Sequence, residues 1–530
     1  AALRNGADPR AFRMRLTELS AAAPEPVRAM RNLTRFLESG FSSSLISDFA
    51  SFPVLLEIFF ELVGQSQYLA DILVRDPELL RWLTATGELK RPRLADDLST
   101  EAHAAMSLFE RPERKLDAVR RFHRREILRL GAREILREAD VVTITAELSA
   151  LADAVAGAVT NAAHADLNAR LGTTLPNRMS VLALGKLGGQ ELNFSSDIDL
   201  MFSYDEDGDL PASAGRLHTY HEYYVRLAEG VIRGLSEFTG EGHLYRVDMR
   251  LRPDGRSGPL AMSRAAMMVY YESRGAAWER QMLLKARPIA GAIDVGERFL
   301  RDLRPFLFPR TAIHSPWEEI AAMKRAIEQE GVAEGNIKLG AGGIRDVEFL
   351  VQGLQLLYAG NDPALRTGHT LRALARLSET GQLPSSVADR LRTAYEFFRT
   401  VEHRLQLLHG RQTHQLPETA EENRVLARKL GFPTANAFRN HVGRLRKFVR
   451  AQFVSFSTPR VPSDSLGGKA TPTISTAAIL ADRHWPPEVQ QVVCQRIESG
   501  FSSEPSHRLL DLALRNARHR EWLVRTALAG

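Results

Sequence analysis

The stretch 185–204 reads GKLGGQELNFSSDIDLMFSY and decides the fold of the chain. It continues a short apolar run, SVLALG at 180–185, which predicts a first strand that ends in glycine. Asp197 and Asp199 lie two residues apart in a second predicted strand, 196–204. The two-residue period of a strand puts both carboxylates on one face, while the residues between them face the core. Two acidic side chains held this close together favour a bound divalent cation.

A third predicted strand, 244–252 (LYRVDMRLR), adds the carboxylate of Asp248. Its alternation places Arg250 and Arg252 on the same face, where they can neutralise charge that develops on a transferred phosphoryl group. Mg²⁺ prefers hard oxygen ligands and leaves room for phosphate oxygens. Two ions would divide the work between the attacking oxygen and the leaving group. We therefore predict that Asp197, Asp199 and Asp248 are the catalytic residues and the ligands of two Mg²⁺ ions.

Residues around these carboxylates are candidates for binding nucleotide or phosphate. Glycines directly after a strand let the backbone approach phosphate oxygens closely. A solvent-facing role for Lys186 and a surface strand or helix edge for the LLKARP segment explain those residues equally well. The predicted nucleotide- and phosphate-binding residues are Gly188, Gly189, Lys186, Ser196, Arg250, Arg252, Lys285 and Arg287.

Two further motifs bear on the site. The run GAGGIRDVEF at 340–349 joins a glycine-rich turn to a helix, and we expect Arg345 and Glu348 at the edge of the site. Trp278, beside Glu279 and Arg280, could stack on adenine. A tryptophan among apolar neighbours is more often a core residue, and we expect that role here.

Helical periodicity dominates on both sides of the strands. It covers residues 10–170, a helix at about 215–238, and residues 315–457. The Arg- and Glu-rich segment 112–139 predicts a solvated face with ion pairs between successive turns. A stretch rich in Pro, Ser, Gly and Thr at 458–476 predicts a linker.

These patterns predict an α+β chain that is mostly α-helical. We divide it into an N-terminal helical region at 1–110 and a domain at 111–314 that contains the three predicted strands. A helical bundle domain follows at 315–457, and a linker with a helical tail occupies 458–530.

Composition narrows the class of protein. The chain has 530 residues, of which 44% are hydrophobic and 25% charged, as in a soluble globular protein. We find no stretch close to the roughly 20 unbroken apolar residues of a membrane span. The single cysteine, Cys494, excludes an intrachain disulfide and favours a reducing cytoplasm. The net charge of +6 is mild, and no dense basic cleft with interleaved aromatics indicates a nucleic-acid partner.

A strand, a glycine pair, a DxD strand and a later strand with one Asp form the pattern of the polymerase-β-like nucleotidyltransferase fold. Four longer runs make the resemblance closer: GKLGGQELNFSSDIDLMF, LYRVDMRLRPDGRSGPL, AWERQMLLKARPIAG and GAGGIRDVEFLVQ. In this order and spacing they resemble the glutamine synthetase adenylyltransferase/adenylyl-removing enzyme family, over residues of about 10–450.

Members of that family usually carry two catalytic halves. The amino-terminal half removes AMP from a glutamine synthetase tyrosine by phosphorolysis, and the carboxy-terminal half adds AMP from ATP. Here LNFSSDIDL, YRVDMRLRP and SGPL resemble the amino-terminal half. The resemblance therefore implies deadenylylation that releases ADP and regulates nitrogen assimilation.

The same resemblance implies glutamine synthetase as the protein substrate, ATP, ADP and phosphate as ligands, and a PII-type signal protein and glutamine as regulators. Because the carboxylates do not encode direction, ATP-dependent adenylylation by the same site remains an alternative. A catalytically silent scaffold that binds nucleotide or a PII signal protein is a second alternative.

Overall fold

The computed structural model describes residues 9–39, 42–85, 87–211, 217–309, 316–329 and 331–457, all within the unit Ala1–Pro459. The predicted linker and tail at 458–530, with Cys494, lie outside the described residues. Helices occupy the first part of the chain, as the periodicity of residues 10–170 predicts. They are α1 (Pro9–Ala22), α2 (Pro26–Glu38), α3 (Ser42–Ser51), α4 (Pro53–Gln65), α5 (Gln67–Arg75), α6 (Glu78–Ala85), α7 (Ala95–Ser107), α8 (Pro112–Ile135) and α9 (Val141–Leu171).

A small mixed sheet follows. Its strands are β1 (Met179–Ala183), β2 (Ile198–Tyr204), β3 (Val247–Asp248), β4 (Ala261–Ser263) and β5 (Arg287–Gly291). The order is β3-β2-β1-β5; β1 is antiparallel to both β2 and β5, whereas β3 and β4 both pair with β2 in parallel. With its surrounding helices, this sheet makes the chain α+β and mostly α-helical, as predicted.

The remaining helices lie between the strands and after the sheet. They are α10 (Gly185–Gly188), α11 (Tyr220–Ser236), α12 (Arg264–Arg274), α13 (Ala277–Leu283), α14 (Ile293–Asp302), α15 (Arg304–Leu307), α16 (Pro316–Gln329), α17 (Ile344–Tyr358), α18 (Thr370–Glu379), α19 (Ser385–His409), α20 (Ala420–Lys429) and α21 (Ala435–Ser457). Helix α11 corresponds to the helix predicted at about 215–238.

The third strand is much shorter than the predicted 244–252. Only Val247 and Asp248 pair with β2, and the chain turns away after Met249. The backbone N–H of Arg250 donates to the Asp248 carboxylate, and Arg252 N–H donates to the Met249 carbonyl, so these donors are withdrawn from a ladder. The prediction that the strand continues to residue 252 was therefore wrong: a turn, and not strand alternation, places Arg250 beside Asp248 and directs Arg252 elsewhere.

Two strands escaped the sequence analysis. Strand β4 has only three residues, which is too few for an alternating pattern to stand out. Strand β5 contains Pro288 and ends at Gly291, two residues that argue against a central strand. It pairs with β1 alone, and an edge strand tolerates proline because one side of its backbone needs no partner.

Several charged residues in the second half of α8 are buried, which corrects the expectation of a solvated face there. Arg129 and Glu126 are both fully buried and bond to each other at 2.7 Å. Glu147 of α9 accepts from Arg129 at 2.7 Å and also pairs with Arg133. A buried ion network, rather than solvent, therefore compensates the charges of these side chains. Helical periodicity could not distinguish a solvated charged face from a buried one, because in both cases the apolar residues lie on a separate stripe of the helix.

Among the described residues, α9 alone is long and apolar enough to cross a membrane by length and composition, although Glu147 and Asp153 interrupt its apolar run. In the structure 67% of its most apolar window is buried, and it packs against α7, α8, α11 and β5. The helix is held at both ends: the Asp140 side chain accepts from the Thr143 N–H, and Gly172 ends it with a φ of 64°.

The residues of the hydrophobic cores do not divide at the predicted domain boundaries. One core cluster contains buried residues between Ala23 and Ala290, together with Leu407 of α19, and so draws on both sides of position 110. A second cluster, from Ile320 to Phe453, lies within the predicted helical bundle. A third, from Leu182 to Leu307, covers the other face of the sheet. The boundary between the first two regions is therefore not a break in the packing.

Candidate active site

A cavity of about 580 Å³ opens between the sheet and the helical bundle, and it collects the predicted carboxylates. Its wall on the sheet side contains seven of the predicted site residues: Lys186, Ser196, Asp197, Asp199, Asp248, Arg250 and Lys285. Helices α13, α16 and α17 form the opposite wall with apolar, amide and charged side chains. The volume falls within the range of pockets that hold small molecules and cofactors.

The carboxylates come together because two short strands are paired. Asp199 on β2 and Asp248 on β3 are register partners, so their side chains lie on one face. Asp248 accepts from two side-chain nitrogens of Arg250, with Nε at 2.9 Å and Nη2 at 2.5 Å, in addition to the backbone N–H. Asp197 accepts from Arg246 Nε at 2.6 Å. Two of the three carboxylates thus carry an arginine partner, and Asp199 is left facing the cavity between them.

Burial and repulsion leave Asp199 electrostatically unsatisfied. Burial raises its pKa to about 6, the neighbouring Asp248 carboxylate adds to the increase, and Lys338 opposes it. By contrast, the hydrogen bond from Arg250 holds the pKa of Asp248 below its usual value. A positive charge at this point would stabilise the ionised form of Asp199.

A divalent cation fits this donor set chemically, although the side chains are not arranged as a closed ligand cage. In the part of the chain that the structure describes, no three His, Cys, Asp or Glu side chains converge on one point at ligand distance. Asp197 and Asp248 are turned toward Arg246 and Arg250 instead. Both arginines are about half exposed or more, so the carboxylates can exchange them for a cation at little cost.

Gly185 provides the space that Asp199 occupies. It has a φ of +55°, which side-chain-bearing residues rarely adopt, and a Cβ at this position would collide with Asp199 Oδ2. The Leu184 N–H also donates to the Asp199 carbonyl at 2.9 Å. The glycine that ends the first predicted strand therefore sets the position of the central carboxylate.

Lys186 reaches the cavity from a buried ion pair. Its Nζ lies 2.9 Å from Glu402 Oε1, and the lysine side chain is 11% exposed. Glu402 on α19 is fully buried and also contacts Arg399 and His414. Burial lowers the pKa of Lys186 to about 7, even though Glu402 opposes the decrease. The alternative of a solvent-facing Lys186 is wrong.

Lys285 is buried at the base of the cavity. It donates to Glu191 Oε2 at 2.8 Å and to Thr370 Oγ1 at 3.1 Å, and it lies 3.9 Å from Glu348. Burial lowers its pKa, but Glu191 and Glu348 outweigh burial and the net pKa is raised. Lys285 is therefore a charged residue that ties the sheet region to α17 and α18.

Four predicted phosphate-binding residues do not line this cavity. Gly188 and Gly189 lie against backbone carbonyls of Lys285, Ala183 and Gly368, where a Cβ would not fit. Their small size thus serves close packing of the α10 turn against its neighbours.

The two arginines of this group are directed elsewhere. Arg287 pairs with Asp153 at 2.7 and 3.0 Å and donates to the Leu187 and Gly188 carbonyls. Arg252 is 8% exposed, and its guanidinium donates to the carbonyls of its own turn. It borders a shallow groove next to the cavity together with Asp197 and Asp248. Phosphate binding by Arg252 and Arg287 remains a prediction, and the contacts of these two side chains do not favour it.

The side of the cavity opposite the sheet supplies residues that the sequence analysis did not name, from helices and from the loops between them. Lys338, Gln281, Gln352 and Gln412 all line the cavity. Lys338 lies two residues before the glycine-rich run at 340–349, so extending that motif by one turn would have found it. Gln281 and Gln352 lie within two of the quoted runs, AWERQMLLKARPIAG and GAGGIRDVEFLVQ, but no local pattern marks the glutamines as site residues. Arg345 and Glu348 also line the cavity, as expected for the edge of the site.

Trp278 is not a core residue, contrary to the expectation. Its side chain is 41% exposed and lines the cavity. The neighbouring Glu279 is buried instead, and its carboxylate accepts from Tyr270 Oη at 3.0 Å. The periodicity of the short helix α13 therefore turns Glu279 inward and leaves the indole at the opening of the site.

Comparisons with known proteins point to one family. The sequence profile described as Glutamate-ammonia ligase adenylyltransferase matches residues 56–302, and the one described as GlnD PII-uridylyltransferase matches residues 315–456. The bifunctional glutamine synthetase adenylyltransferase/adenylyl-removing enzyme of Pseudomonas aeruginosa is 39% identical over 408 residues, which cover 75% of this chain and 41% of that protein. The protein of the same name from Thioalkalivibrio sulfidiphilus is 35% identical over 496 residues, or 91% of this chain and 50% of that protein.

A further relative of that name, from Rhizobium meliloti, is 44% identical over 279 residues, or 52% of this chain and 28% of that protein. The chain thus spans about half the length, or less, of the curated relatives it matches. The matched profile, residues 56–302, covers the strands that carry the three aspartates. The chain therefore belongs to the glutamate-ammonia ligase adenylyltransferase family.

Proposed function

We propose that this chain removes AMP from an adenylylated tyrosine of glutamine synthetase by phosphorolysis, at a polymerase-β-like nucleotidyltransferase site. The observation that carries the proposal is the pairing of Asp199 with Asp248, with Asp197 two residues away on the same strand. Nucleotidyl transfer needs carboxylates that gather positive charge around a phosphorus centre, and this cluster has that composition.

The reaction exchanges one phosphorus–oxygen bond for another. An oxygen of inorganic phosphate attacks the adenylyl phosphorus, the bond to the tyrosine oxygen breaks, tyrosinate leaves and takes up a proton, and ADP is released. Mg²⁺ held by Asp197, Asp199 and Asp248 would supply the positive charge that the attacking and leaving oxygens need. Lys186, Arg250 and Lys338 line the same cavity and are available to bind the phosphate oxygens.

The direction of transfer is supported by sequence resemblance. LNFSSDIDL and YRVDMRLRP resemble the adenylyl-removing half of the family. The curated relatives are named for both activities, and this chain matches at most half of each. One aspartate cluster in the described residues supports one of the two activities.

Regulation is part of the same proposal. The bundle residues 315–456 match a profile described as GlnD PII-uridylyltransferase, which supports contact with a PII-type signal protein. Glutamine is proposed as a small-molecule effector, ATP as the nucleotide of the alternative adenylylation reaction, which would release pyrophosphate, and the cytoplasm as the compartment.

Offering the same chain phosphate or ATP tests the direction. With Mg²⁺ and adenylylated glutamine synthetase, we expect ADP to appear only when phosphate is present. With ATP and unmodified glutamine synthetase, we expect no incorporation of AMP. Incorporation from ATP without phosphate-dependent ADP release would instead assign the adenylylating direction. Asp197→Asn should abolish the release; release unchanged in that variant would contradict catalysis at the aspartate cluster. Absence of release from the wild-type chain would favour a silent scaffold.

A further inference from the structure

The end of the cavity on the helical side is built differently from the carboxylate end. Met282 of α13, Met323 of α16 and Phe349 of α17 line it, and Trp278 stands partly exposed at its opening. Flat, polarisable and aromatic surfaces of this kind bind planar aromatic rings. Lys186 and Arg250, two of the proposed phosphate-binding side chains, lie on the sheet side of the cavity.

Two glutamines stand among these apolar residues. Gln281 Nε2 donates to Gln352 Oε1 at 2.6 Å, across α13 and α17. Gln281 is 5% exposed and Gln352 is 9% exposed. Within the described residues Gln281 Oε1 is buried and accepts no hydrogen bond. An unsatisfied buried acceptor costs free energy unless a ligand supplies the missing donor.

The bond between the two amides fixes what they offer a ligand. With Gln281 Nε2 occupied, Gln281 presents an acceptor and Gln352 presents the donor of its own amide. Reversing both amides would bury an unpaired N–H at Gln281, and unpaired donors are rarer in proteins than unpaired acceptors. The favoured arrangement is therefore complementary to an amino group beside a ring nitrogen.

We propose that this end of the cavity is the base subsite of the nucleotide, and that Gln281 and Gln352 select a 6-aminopurine. The exocyclic amino group donates to Gln281 Oε1, and an adjacent ring nitrogen accepts from Gln352 Nε2. A 6-oxopurine presents an acceptor where Gln281 requires a donor. This inference rests on the proposed function, since it assigns the base of the same nucleotide whose phosphorus reacts at the aspartates.

Calorimetric titration with ADP and IDP in Mg²⁺ buffer tests the subsite. The two nucleotides differ at the 6-position, where an amino group replaces an oxo group, and at the adjacent ring nitrogen. We expect the wild-type chain to bind ADP roughly 10-fold to 100-fold more tightly than IDP. Gln281→Leu should weaken ADP binding and bring the two affinities within about twofold of each other. Gln412→Leu, which removes an amide from the same cavity outside the pair, should keep the preference for ADP.

Equal affinities of the wild-type chain for ADP and IDP would overturn the subsite, as would a Gln281→Leu variant that keeps the wild-type preference. The wild-type comparison stands even if the variant fails to fold. Phosphate-dependent ADP release by the same preparation separates the two proposals. Release without base preference removes the subsite alone, whereas base preference without release removes the proposed reaction and leaves the subsite supported.

Discussion

Asp199 and Asp248 are register partners across the parallel pair β2 and β3, and only Asp248 has an arginine partner. The same pairing that brings the two carboxylates together therefore leaves them unequal. Arg250 lowers the pKa of Asp248, while burial and the neighbouring charge raise the pKa of Asp199 to about 6. This asymmetry explains why the site needs an additional positive charge, and it makes Asp199 the most informative position to change.

Replacing the Asp199 carboxylate should separate activity from stability. In Asp199→Asn, we expect phosphate-dependent ADP release to fall on the order of 100-fold or more. The substitution removes the negative charge of a carboxylate that would hold Mg²⁺ next to the reacting phosphorus. The melting temperature should stay the same or rise, since the repulsion with Asp248 disappears. Asp302→Asn, which changes an aspartate paired with Arg264 away from the cavity, is the control. A variant that melts well below wild type would show that Asp199 is needed for folding.

Gly185→Ala should displace the Asp199 carboxylate from its position in the cavity. A Cβ at this position collides with the Asp199 carboxylate, and a φ of +55° adds about 1–2 kcal/mol of backbone strain. Gly172→Ala is a matched control, because Gly172 has a φ of +64° and no heavy atom near its Cβ position. We expect both variants to lose similar stability in urea unfolding and only Gly185→Ala to lose most of its ADP release. Equal activities in the two variants would contradict the close approach of Gly185 to Asp199.

The buried pair of Lys186 and Glu402 should be costly to break. Glu402→Gln leaves Lys186 without its carboxylate, and losing one partner of a buried ion pair costs about 3–5 kcal/mol. Glu379→Gln is the exposed counterpart, because it breaks a surface ion pair with Arg376. We expect no measurable change in the free energy of unfolding of that variant. Urea unfolding midpoints of the two variants check this prediction. Similar midpoints would mean that Lys186 is not held through Glu402.

His123 should make the protein sensitive to acid. Burial lowers its pKa from 6.5 to about 3, and its Nε2 has no hydrogen-bond partner within the described structure. Below pH 6.5 the unfolded chain binds a proton that the folded chain excludes, so stability falls as the pH falls. The loss from this residue is about 1 kcal/mol between pH 6.5 and 5.5.

Unfolding of His123→Phe in urea at both pH values isolates that contribution. The aromatic ring is retained against Tyr245, whose centroid lies 4.9 Å from that of His123, while the titrating nitrogens are removed. We expect the difference in unfolding free energy between the two pH values to shrink by about 1 kcal/mol relative to wild type. An unchanged difference would show that His123 is protonated in the folded state.

Local patterns predicted the mostly helical α+β class and the closeness of the three aspartates. Contacts between segments distant in sequence determined the short strands and the remaining residues of the cavity. Strand β2 and helix α11 follow from alternation and helical period, and Asp197, Asp199 and Asp248 follow from where those strands lie. The short β3 depends on a turn held by the side chain of Arg252, which no period reports. Gln281 and Gln352 are 71 residues apart and meet only because α13 packs near α17.

Following the phosphorus atom of labelled inorganic phosphate tests the central claim most directly. The chain is incubated with Mg²⁺, adenylylated glutamine synthetase and ³²P-labelled phosphate, and the nucleotide products are separated. Attack of phosphate on the adenylyl phosphorus predicts ADP that carries the label in its β-phosphate, formed in step with the unmodified tyrosine. Release of unlabelled AMP, or a tyrosine that stays modified, would contradict phosphorolysis at the Asp199 and Asp248 site.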